Sequence, residues 1–255
     1  VLDANGKLRV TPAQITGRIA TGSGDLRVTT LAVDTDLSGV GTTDCEVSLT
    51  SDITNFNGKL FGTADTKRKL TVNSPRVFTT TAAKATGQFI GGTGTVEITA
   101  MEINTELVNI TTTGTGTKAN VAANLLQDAN STDQTFSGSL FNAHANRSLV
   151  LSGKLRVTAA QITGRKASGD GELSVTDLVA DTGLSNVSTD TCNATLKATI
   201  ADFTGTLWAA AGTRTLTVDT GESFTTTAAK ATGQYISGAG TVVVNAMAVD
   251  TKLVN

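Results

Sequence analysis

The sequence has few of the residues on which most catalytic and metal-binding sites depend. It contains one histidine, two cysteines, one tryptophan and one tyrosine among 255 residues. Histidine is the most frequent general base and a common zinc ligand, so its scarcity argues against a catalytic triad or a zinc centre. We therefore interpret His144, in the segment FNAHANRS, as a residue of a solvated turn, and we predict no cofactor and no metal ion.

Charged residues and long apolar runs are also scarce. Asp, Glu, Lys and Arg make up 16% of the chain, and the formal net charge is −2. Nucleic-acid binding depends on concentrated Lys and Arg, which this composition does not provide. No apolar run approaches the roughly 18 residues of a membrane-spanning helix. We expect neither a nucleic-acid partner nor insertion into a membrane.

Proline and aromatic residues are rare, and glycine, serine and threonine are abundant. The chain has two prolines, 4% aromatic residues and 26 glycines. Two prolines are too few for a Pro-rich, mucin-like stalk. Low charge combined with many Thr, Val and Gly residues is typical of β structure with frequent tight turns.

The chain is organised around one stretch of thirty residues that occurs four times, which indicates a repeat architecture. The first and third copies are near-twins, as are the second and fourth, so the array reads A-B-A-B. We divide the chain into a first period, 1–147, and a second, incomplete period, 148–255. The four copies are Leu8–Leu37, Phe78–Leu107, Leu155–Leu184 and Phe224–Leu253.

Both ends of the chain fall inside this pattern. VLDANGKLRV at Val1 is similar to LVLSGKLRV at Leu149, and KLVN at Lys252 matches ELVN at Glu106. We expect the array to continue into further repeats, or to be continued by a neighbouring subunit through self-association.

A second shared piece, with the pattern F-x-G-x-L, lies between the copies. It occurs at Ile53–Leu60, Asp133–Leu140 and Ile200–Leu207. Each time a short apolar segment follows, such as KLTV at Lys69, and this segment is called the apolar close. F-x-G-x-L with such a close resembles short stretches of autotransporter passenger β-helices, and the resemblance covers those pieces alone. It implies a surface-exposed solenoid.

The spacing of apolar residues predicts stacked coils. Leu8 and Val10 alternate as in a strand, the phase slips by one residue, and Ala13 and Ile15 alternate again. An interruption of this two-residue period indicates two strands that are joined by a corner or a bulge. Gly-rich segments such as TGSGD at Thr21 are then reversals or corners.

Recurring steps of about 18 to 23 residues suit the coils of a β-solenoid. Leu8 to Leu26 is 18 residues, Leu26 to Leu49 is 23 and Leu49 to Leu70 is 21. We predict an all-β protein, an elongated irregular β-solenoid. The alternative is a string of small β-sandwiches, which the scarcity of large aromatic residues disfavours. The only segment with helical character is Lys118–Asn130.

The two cysteines, Cys45 and Cys192, occupy matching positions 147 residues apart. One interpretation is a pair of small buried residues. The other is a disulfide between neighbouring repeats or between subunits, which would indicate an oxidising compartment. Both interpretations stay open at this point.

Three further features are candidates for function. The motif D-T-x-L, at Asp34 and its copies, is either a repeated calcium ligand or a turn in which Asp caps backbone N–H groups while Leu fills the core. The segments FTTTAAKATG at Phe78 and Phe224 either form a Thr-rich face for a ligand or contain ordinary exposed strand residues. Lys84 and Lys230, within those segments, are expected to cover a strand edge or a solvated face.

These observations favour an extracellular structural repeat protein, the body of a surface fibre, sheath, adhesin stalk or virion appendage. The alternative is a module that binds a surface glycan or another polymer through a repeated Thr-rich face. A polysaccharide-cleaving β-helix enzyme is the weakest candidate, because it needs clustered acids in one groove and no such cluster stands out along the chain. We therefore expect that the protein is not an enzyme.

Overall fold

A computed structural model describes residues 1–63, 65–125, 134–208 and 213–247 of the chain. Strands make up 46% of the protein and helices 7%, and the strands stack in parallel as a β-solenoid of about 11 turns. The predicted β-solenoid is therefore confirmed. Parallel pairing does not fit the alternative of tandem sandwiches, whose antiparallel strands are joined by hairpins and Greek-key connections.

The regular elements are short. The strands are β1 (Lys7–Val10), β2 (Ala20–Val28), β3 (Val40–Ser48), β4 (Arg68–Thr71), β5 (Val77–Thr81), β6 (Phe89–Gly91), β7 (Thr95–Thr99), β8 (Thr117–Val121), β9 (Asn124–Leu125), β10 (Arg147–Leu151), β11 (Lys154–Thr158), β12 (Lys166–Thr176), β13 (Val187–Leu196), β14 (Thr213–Val218), β15 (Ser223–Thr227), β16 (Tyr235–Gly238) and β17 (Thr241–Asn245). The helices are α1 (Pro12–Ile15), α2 (Ala82–Ala85), α3 (Ala159–Ile162) and α4 (Ala228–Ala231). None of the described helices is long and apolar enough to cross a membrane.

The chain forms two compact units. Unit 1 consists of Val1–Asn120 and Gly138–Arg147, and unit 2 of Val121–Ser137 and Ser148–Asn255. In unit 1, β1, β2, β3, β4 and β6 follow one another in a parallel sheet, and β5 pairs with β7. In unit 2, β12, β13, β14 and β16 form the corresponding sheet, with β11 paired to β12 and β15 paired to β17.

Identical strand positions in successive coils stack directly on one another and form the core. In unit 1 the register places Val28 against Val47, Val47 against Leu70 and Leu70 against Ile90. All four side chains are at most 3% exposed. Each coil buries its apolar residues only because the next coil covers them, as expected for a solenoid.

The register corrects one sequence expectation. Leu26 lies opposite Cys45, and Leu70 lies opposite Val47, so Leu49 is not the rung partner of either leucine. Leu49 is buried all the same, where its N–H donates to the carbonyl of Thr71 at 3.1 Å. A buried leucine just past a strand has the same apolar signal as one inside it, and the sequence pattern does not separate the two.

The phase slips have two different structural causes. After the first strand of each copy, the chain makes one turn of α-helix, α1 to α4, which the sequence interpretation treated as a simple corner or bulge. After the second strand, the residue at the slip takes a left-handed conformation in three copies, with φ of 53° at Ala100 and 55° at Asp177 and Ala246. The left-handed residue is followed by a buried side chain at Met101 and Leu178, whereas Met247 in the fourth copy is 60% exposed.

In the first and third copies the Gly-x-Gly segments are bulges in a strand that continues. In the second and fourth copies they are the expected corners, between β6 and β7 and between β16 and β17. Strand β2 pairs with β3 on both sides of the segment, and the register shifts between Gly22 and Asp25. Gly22 has a φ of +120°, a conformation that residues with a side chain avoid. In the second copy, a Cβ on Gly94 would lie 2.7 Å from the carbonyl oxygen of Arg76 in the preceding coil. The first glycine therefore serves backbone conformation and the second serves close packing of coils.

The helix expected at Lys118–Asn130 is wrong over its described part. Thr117–Val121 and Asn124–Leu125 are strands, and Ala119 and Val121 face the core. The rest of that segment, 126–130, lies outside the described residues. Alternating burial in β8 overrides a local composition that favoured a helix.

Candidate functional site

The two cysteines lie in the core. Cys45 and Cys192 are fully buried free thiols, each stacked against the leucine of the preceding coil, Leu26 and Leu173. Burial raises the pKa of both thiols to about 12, opposed in part by the nearby Arg68 and Arg214. The disulfide between repeats or subunits stays a prediction, which a non-reducing gel of the Cys45→Ser variant tests against the parent protein.

In the D-T-x-L motif, the threonine rather than the aspartate caps the turn. The Thr35 hydroxyl accepts the N–H of Ala32 at 2.8 Å, and the Thr35 N–H donates back to the Ala32 carbonyl at 3.2 Å. The same contact recurs at Thr105 and Thr182 in the later copies, each at 2.9 Å. These threonines are at most 1% exposed.

For the other positions of the motif, the turn interpretation is only partly right. Leu37 is fully buried, as expected of a core residue, and Asp34 is exposed and caps nothing. The Asp36 carboxylate instead accepts hydrogen bonds from the hydroxyl and the N–H of Ser38, and these bonds lower the pKa of its carboxyl. Among the described residues, no group of three or more His, Cys, Asp or Glu side chains is placed to hold a metal ion. The fourth copy, Asp250–Leu253, lies outside the described residues.

The glycine of F-x-G-x-L allows the linking piece to pair with the D-T-x-L turn. The N–H of Gly58 donates to the carbonyl of Val33 at 3.0 Å, and the N–H of Lys59 donates to that of Thr35 at 3.0 Å. A Cβ on Gly58 would overlap the Thr35 carbonyl oxygen. Gly138 and Gly205 occupy the same position in the other linking pieces. The two repeated motifs are therefore two halves of one contact between coils.

Lys84 and Lys230 bind backbone oxygens of the preceding coil, which corrects their expected role at an edge or a solvated face. The Nζ of Lys84 donates to the Phe56 carbonyl at 2.7 Å and lies 5.8 Å from the centre of the Phe56 ring. Lys230 makes the same two contacts with Phe203, at 2.7 Å and 5.5 Å. In the third copy Gln161 takes this place, and its Nε2 donates to the Phe136 carbonyl at 2.9 Å.

Sequence reasoning missed an arginine that precedes the apolar close in each linking piece. The Nε of Arg147 donates to the Thr112 carbonyl at 3.0 Å, and the Nε of Arg214 donates to the Thr189 carbonyl at 2.9 Å. Arg68 instead pairs with Asp65 at 2.8 Å. The fixed place of an arginine before L-x-V or L-x-L was the available signal. Arg147 and Arg214 therefore hold neighbouring coils together, whereas Arg68 pairs within its own coil.

The segments FTTTAAKATG do not form a continuous outward row of threonines. Thr80 and Thr226, the middle threonines, point inward and are 2% exposed. The outward row beside Thr79 continues to Glu97 and Lys118, which form an ion pair at 3.1 Å. His144 lies in a turn, as expected, where its Nδ1 accepts the N–H of Asn146 at 3.1 Å.

Unit 1 carries a cluster of charges that sequence reasoning did not find. Six outward side chains of β2, β3, β4 and the segment leading into β4 surround a groove of about 270 Å³, and this set is called the charged face. Among the described residues, no ion pair joins these six side chains. They lie up to 44 positions apart in the chain and meet only through the register. The charged face consists of Asp25, Arg27, Asp44, Glu46, Lys67 and Lys69.

Unit 2 presents the same architecture with fewer charged side chains: Arg156 lies opposite Ser174, and Lys154 pairs with Glu172 at 2.9 Å on the same face. The register aligns Ser174, Asn193, Thr215 and Tyr235 in one outward row across four strands, called the neutral row. All four side chains are half-buried. At the matching positions of unit 1 stand Arg27, Glu46, Lys69 and Phe89. Two sheets that share their inward residues therefore differ in the chemistry of their outer faces.

Comparison of the chain with protein families, with curated proteins and with solved structures found no match.

Proposed function

We propose that this protein is an extracellular structural repeat protein, the body of a surface fibre, sheath, adhesin stalk or virion appendage. The observation that carries the proposal is the stacking of equivalent residues from coil to coil, as in the column from Val28 through Val47 and Leu70 to Ile90. Every coil completes the core of its neighbour, so the stability of the array grows with its length.

The contacts between coils support this role. Lys84, Lys230 and Gln161 each reach a backbone carbonyl in the preceding coil, and the D-T-x-L turn pairs with the linking piece. Most of the repeated motifs therefore form contacts between neighbouring coils. That distribution of side-chain roles is expected of a protein whose task is mechanical.

Immunogold labelling of intact and of permeabilised cells or particles that contain the protein tests the proposal. We expect label on the outside of intact specimens, on an extended or layered structure. Label that appears only after permeabilisation would contradict the extracellular assignment. Loss of the gene product without any change in the surface structure would contradict the structural one.

The charged face favours a second candidate, cleavage of a polysaccharide. Asp25 and Asp44 lie on adjacent strands, and Glu46 follows on the same outward face, beside the groove. Two carboxylates beside a sugar chain are the usual machinery of glycoside hydrolysis. Release of reducing ends from a polysaccharide panel, lost in Asp44→Asn and Glu46→Gln, would establish this activity in place of the structural role. No release by the parent protein dismisses it.

A further inference from the structure

We propose that the outer sheet face of unit 2 around the neutral row binds a neutral polysaccharide. The site is distinct from the Thr-rich segments considered above, because it lies on β12, β13, β14 and β16. This inference does not rest on the proposed structural role, since a surface body with or without glycan affinity is equally possible.

The first argument is the exchange of charge between two otherwise matching faces. Unit 1 has Arg27, Glu46 and Lys69 where unit 2 has Ser174, Asn193 and Thr215. The first unit demonstrates that this fold accommodates charges at those positions. In unit 2 all three charges are replaced by side chains that both donate and accept hydrogen bonds, which is the property that sugar hydroxyls require.

The second argument is that these groups are available to a ligand. Among the described residues, no protein partner binds the hydroxyls of Ser174, Thr215 and Tyr235. Asn193 makes one contact, from its Nδ2 to Glu172 at 3.4 Å, and its side-chain oxygen stays open. Further hydroxyls flank the row on the same face. They belong to Thr191, Thr195, Thr217 and Ser237.

The third argument is the aromatic residue at the end of the row. Tyr235 lies beside Thr215 on the neighbouring strand and is half-buried. A tyrosine ring offers an apolar face for the C–H surface of a sugar ring, together with a hydroxyl for hydrogen bonding. Adjacent strands are about 4.8 Å apart, so the four positions span roughly 14 Å. That length accommodates several linked sugars lying across the strands.

Other ligand classes fit this face less well. A polyanion requires concentrated cations, whereas β11 places only two beside the row, Arg156 opposite Ser174 and Lys154, which pairs with Glu172 at 2.9 Å. An extended peptide adds to a sheet through backbone groups at an edge, whereas this face presents side chains. A neutral polymer with many hydroxyls matches the four uncharged side chains of the row, which supply hydrogen-bond donors and acceptors.

Native affinity electrophoresis of the full chain tests the proposal, with hydroxyethylcellulose, dextran or galactomannan in the gel and polygalacturonate as the acidic probe. Mobility is expressed relative to a gel without polysaccharide, so that charge changes cancel. We expect retardation by at least one neutral polymer. The variant S174R/N193E/T215K, which copies the residues of unit 1, should weaken that binding at least tenfold.

Matched variants separate binding from folding. The reciprocal change in unit 1, R27S/E46N/K69T, should leave retardation unchanged, and Tyr235→Phe should retain more binding than Tyr235→Ala. Where the triple variant fails to fold, as judged by its circular dichroism, the Tyr235 pair decides. Three outcomes would overturn the proposal: no retardation by any neutral polymer, retardation by polygalacturonate alone, or unchanged binding in both the triple variant and Tyr235→Ala.

Discussion

Thr182 and Thr226 are both buried, but their hydroxyls are in opposite situations. The Thr182 hydroxyl accepts the N–H of Val179 at 2.9 Å, whereas the Thr226 hydroxyl has no hydrogen-bond partner in the described chain. The equivalent of Thr226 in the third copy is Val157, which is fully buried. A buried hydroxyl without a partner is a cost that valine avoids, and a buried hydroxyl that serves an N–H is a contribution that valine removes.

The same substitution should therefore change stability in opposite directions at the two sites. We expect Thr226→Val to raise the free energy of unfolding by about 1 kcal/mol, and Thr182→Val to lower it by about 1–2 kcal/mol, because the Val179 N–H is left unsatisfied. Urea unfolding followed by circular dichroism measures both. The outward Thr225→Val is the control and should have little effect. A loss of stability in Thr226→Val would contradict the assigned role.

At the scale of the element, the shortest elements and the linking pieces determine how neighbouring coils meet. The one-turn helices α2, α3 and α4 each project a side chain onto the preceding coil, and each linking piece brings a glycine against a backbone carbonyl. A comparison of Gly205 with Gly183 isolates the effect of the close approach between glycine and backbone carbonyl. A Cβ on Gly205 would overlap the Thr182 carbonyl, whereas a Cβ on Gly183 would have its nearest neighbour at 3.7 Å.

We expect Gly205→Ala to destabilise unit 2 by about 3 kcal/mol or more, because backbone of the neighbouring coil must move. Gly183→Ala should stay within about 1 kcal/mol of the parent, since neither conformation nor space opposes a methyl group there. Denaturant unfolding of both variants checks the difference. Equal effects of the two substitutions would mean that the close approach between coils does not limit this position.

The third copy provides the template for a test of Lys84. Replacing Lys84 by Gln should retain the bond to the Phe56 carbonyl, because Gln161 makes the corresponding bond to Phe136. Replacing Lys84 by Met retains the apolar stem and removes the donor, so we expect a loss of about 1–2 kcal/mol. Thermal unfolding of the two variants is the measurement. A Met variant as stable as the Gln variant would show that the hydrogen bond contributes nothing.

The sequence was sufficient for the elements whose signal is periodic. Alternation with steps of 18 to 23 residues predicted stacked coils, because inward positions must be apolar in every coil. It was not sufficient for the one-turn helices, which are shorter than any periodic window. The sequence signal of α1 and α3 was a capping box, seen where the Thr158 N–H donates to Gln161 Oε1 at 2.9 Å. The helices α2 and α4 have Lys84 and Lys230 at that position and lack this signal. The two outer faces were also missed, because residues such as Asp25 and Asp44 become neighbours only once the register is known.

At the scale of the whole molecule, each buried thiol couples the stability of its unit to pH. The pKa of Cys45 and of Cys192 is raised from 9.0 to about 12 in the folded protein, chiefly by burial. Between those values the unfolded chain loses a proton that the folded chain retains. Ionisation therefore favours the unfolded state, and stability is lost as the pH rises.

We expect the free energy of unfolding to fall above pH 9 by up to about 1.4 kcal/mol per pH unit for each thiol. The variant Cys45→Ala/Cys192→Ala should have a shallower alkaline slope, although its stability at pH 7 is lower. Urea titrations from pH 7 to pH 11 give both slopes. Identical slopes would contradict burial of ionisable thiols, and alkylation of the native protein by iodoacetamide at pH 8 would do the same.

Trp208 is the single tryptophan of the chain and belongs to unit 2, where it is 1% exposed and its carbonyl accepts the Nε2 of Gln234 at 3.1 Å. Indole fluorescence excited selectively therefore reports on one half of the protein, while far-ultraviolet ellipticity reports on both. Melting curves from the two optical signals coincide if the halves unfold together and separate if one unfolds first. The molecule thus contains a built-in spectroscopic label for asking whether its two units are cooperative.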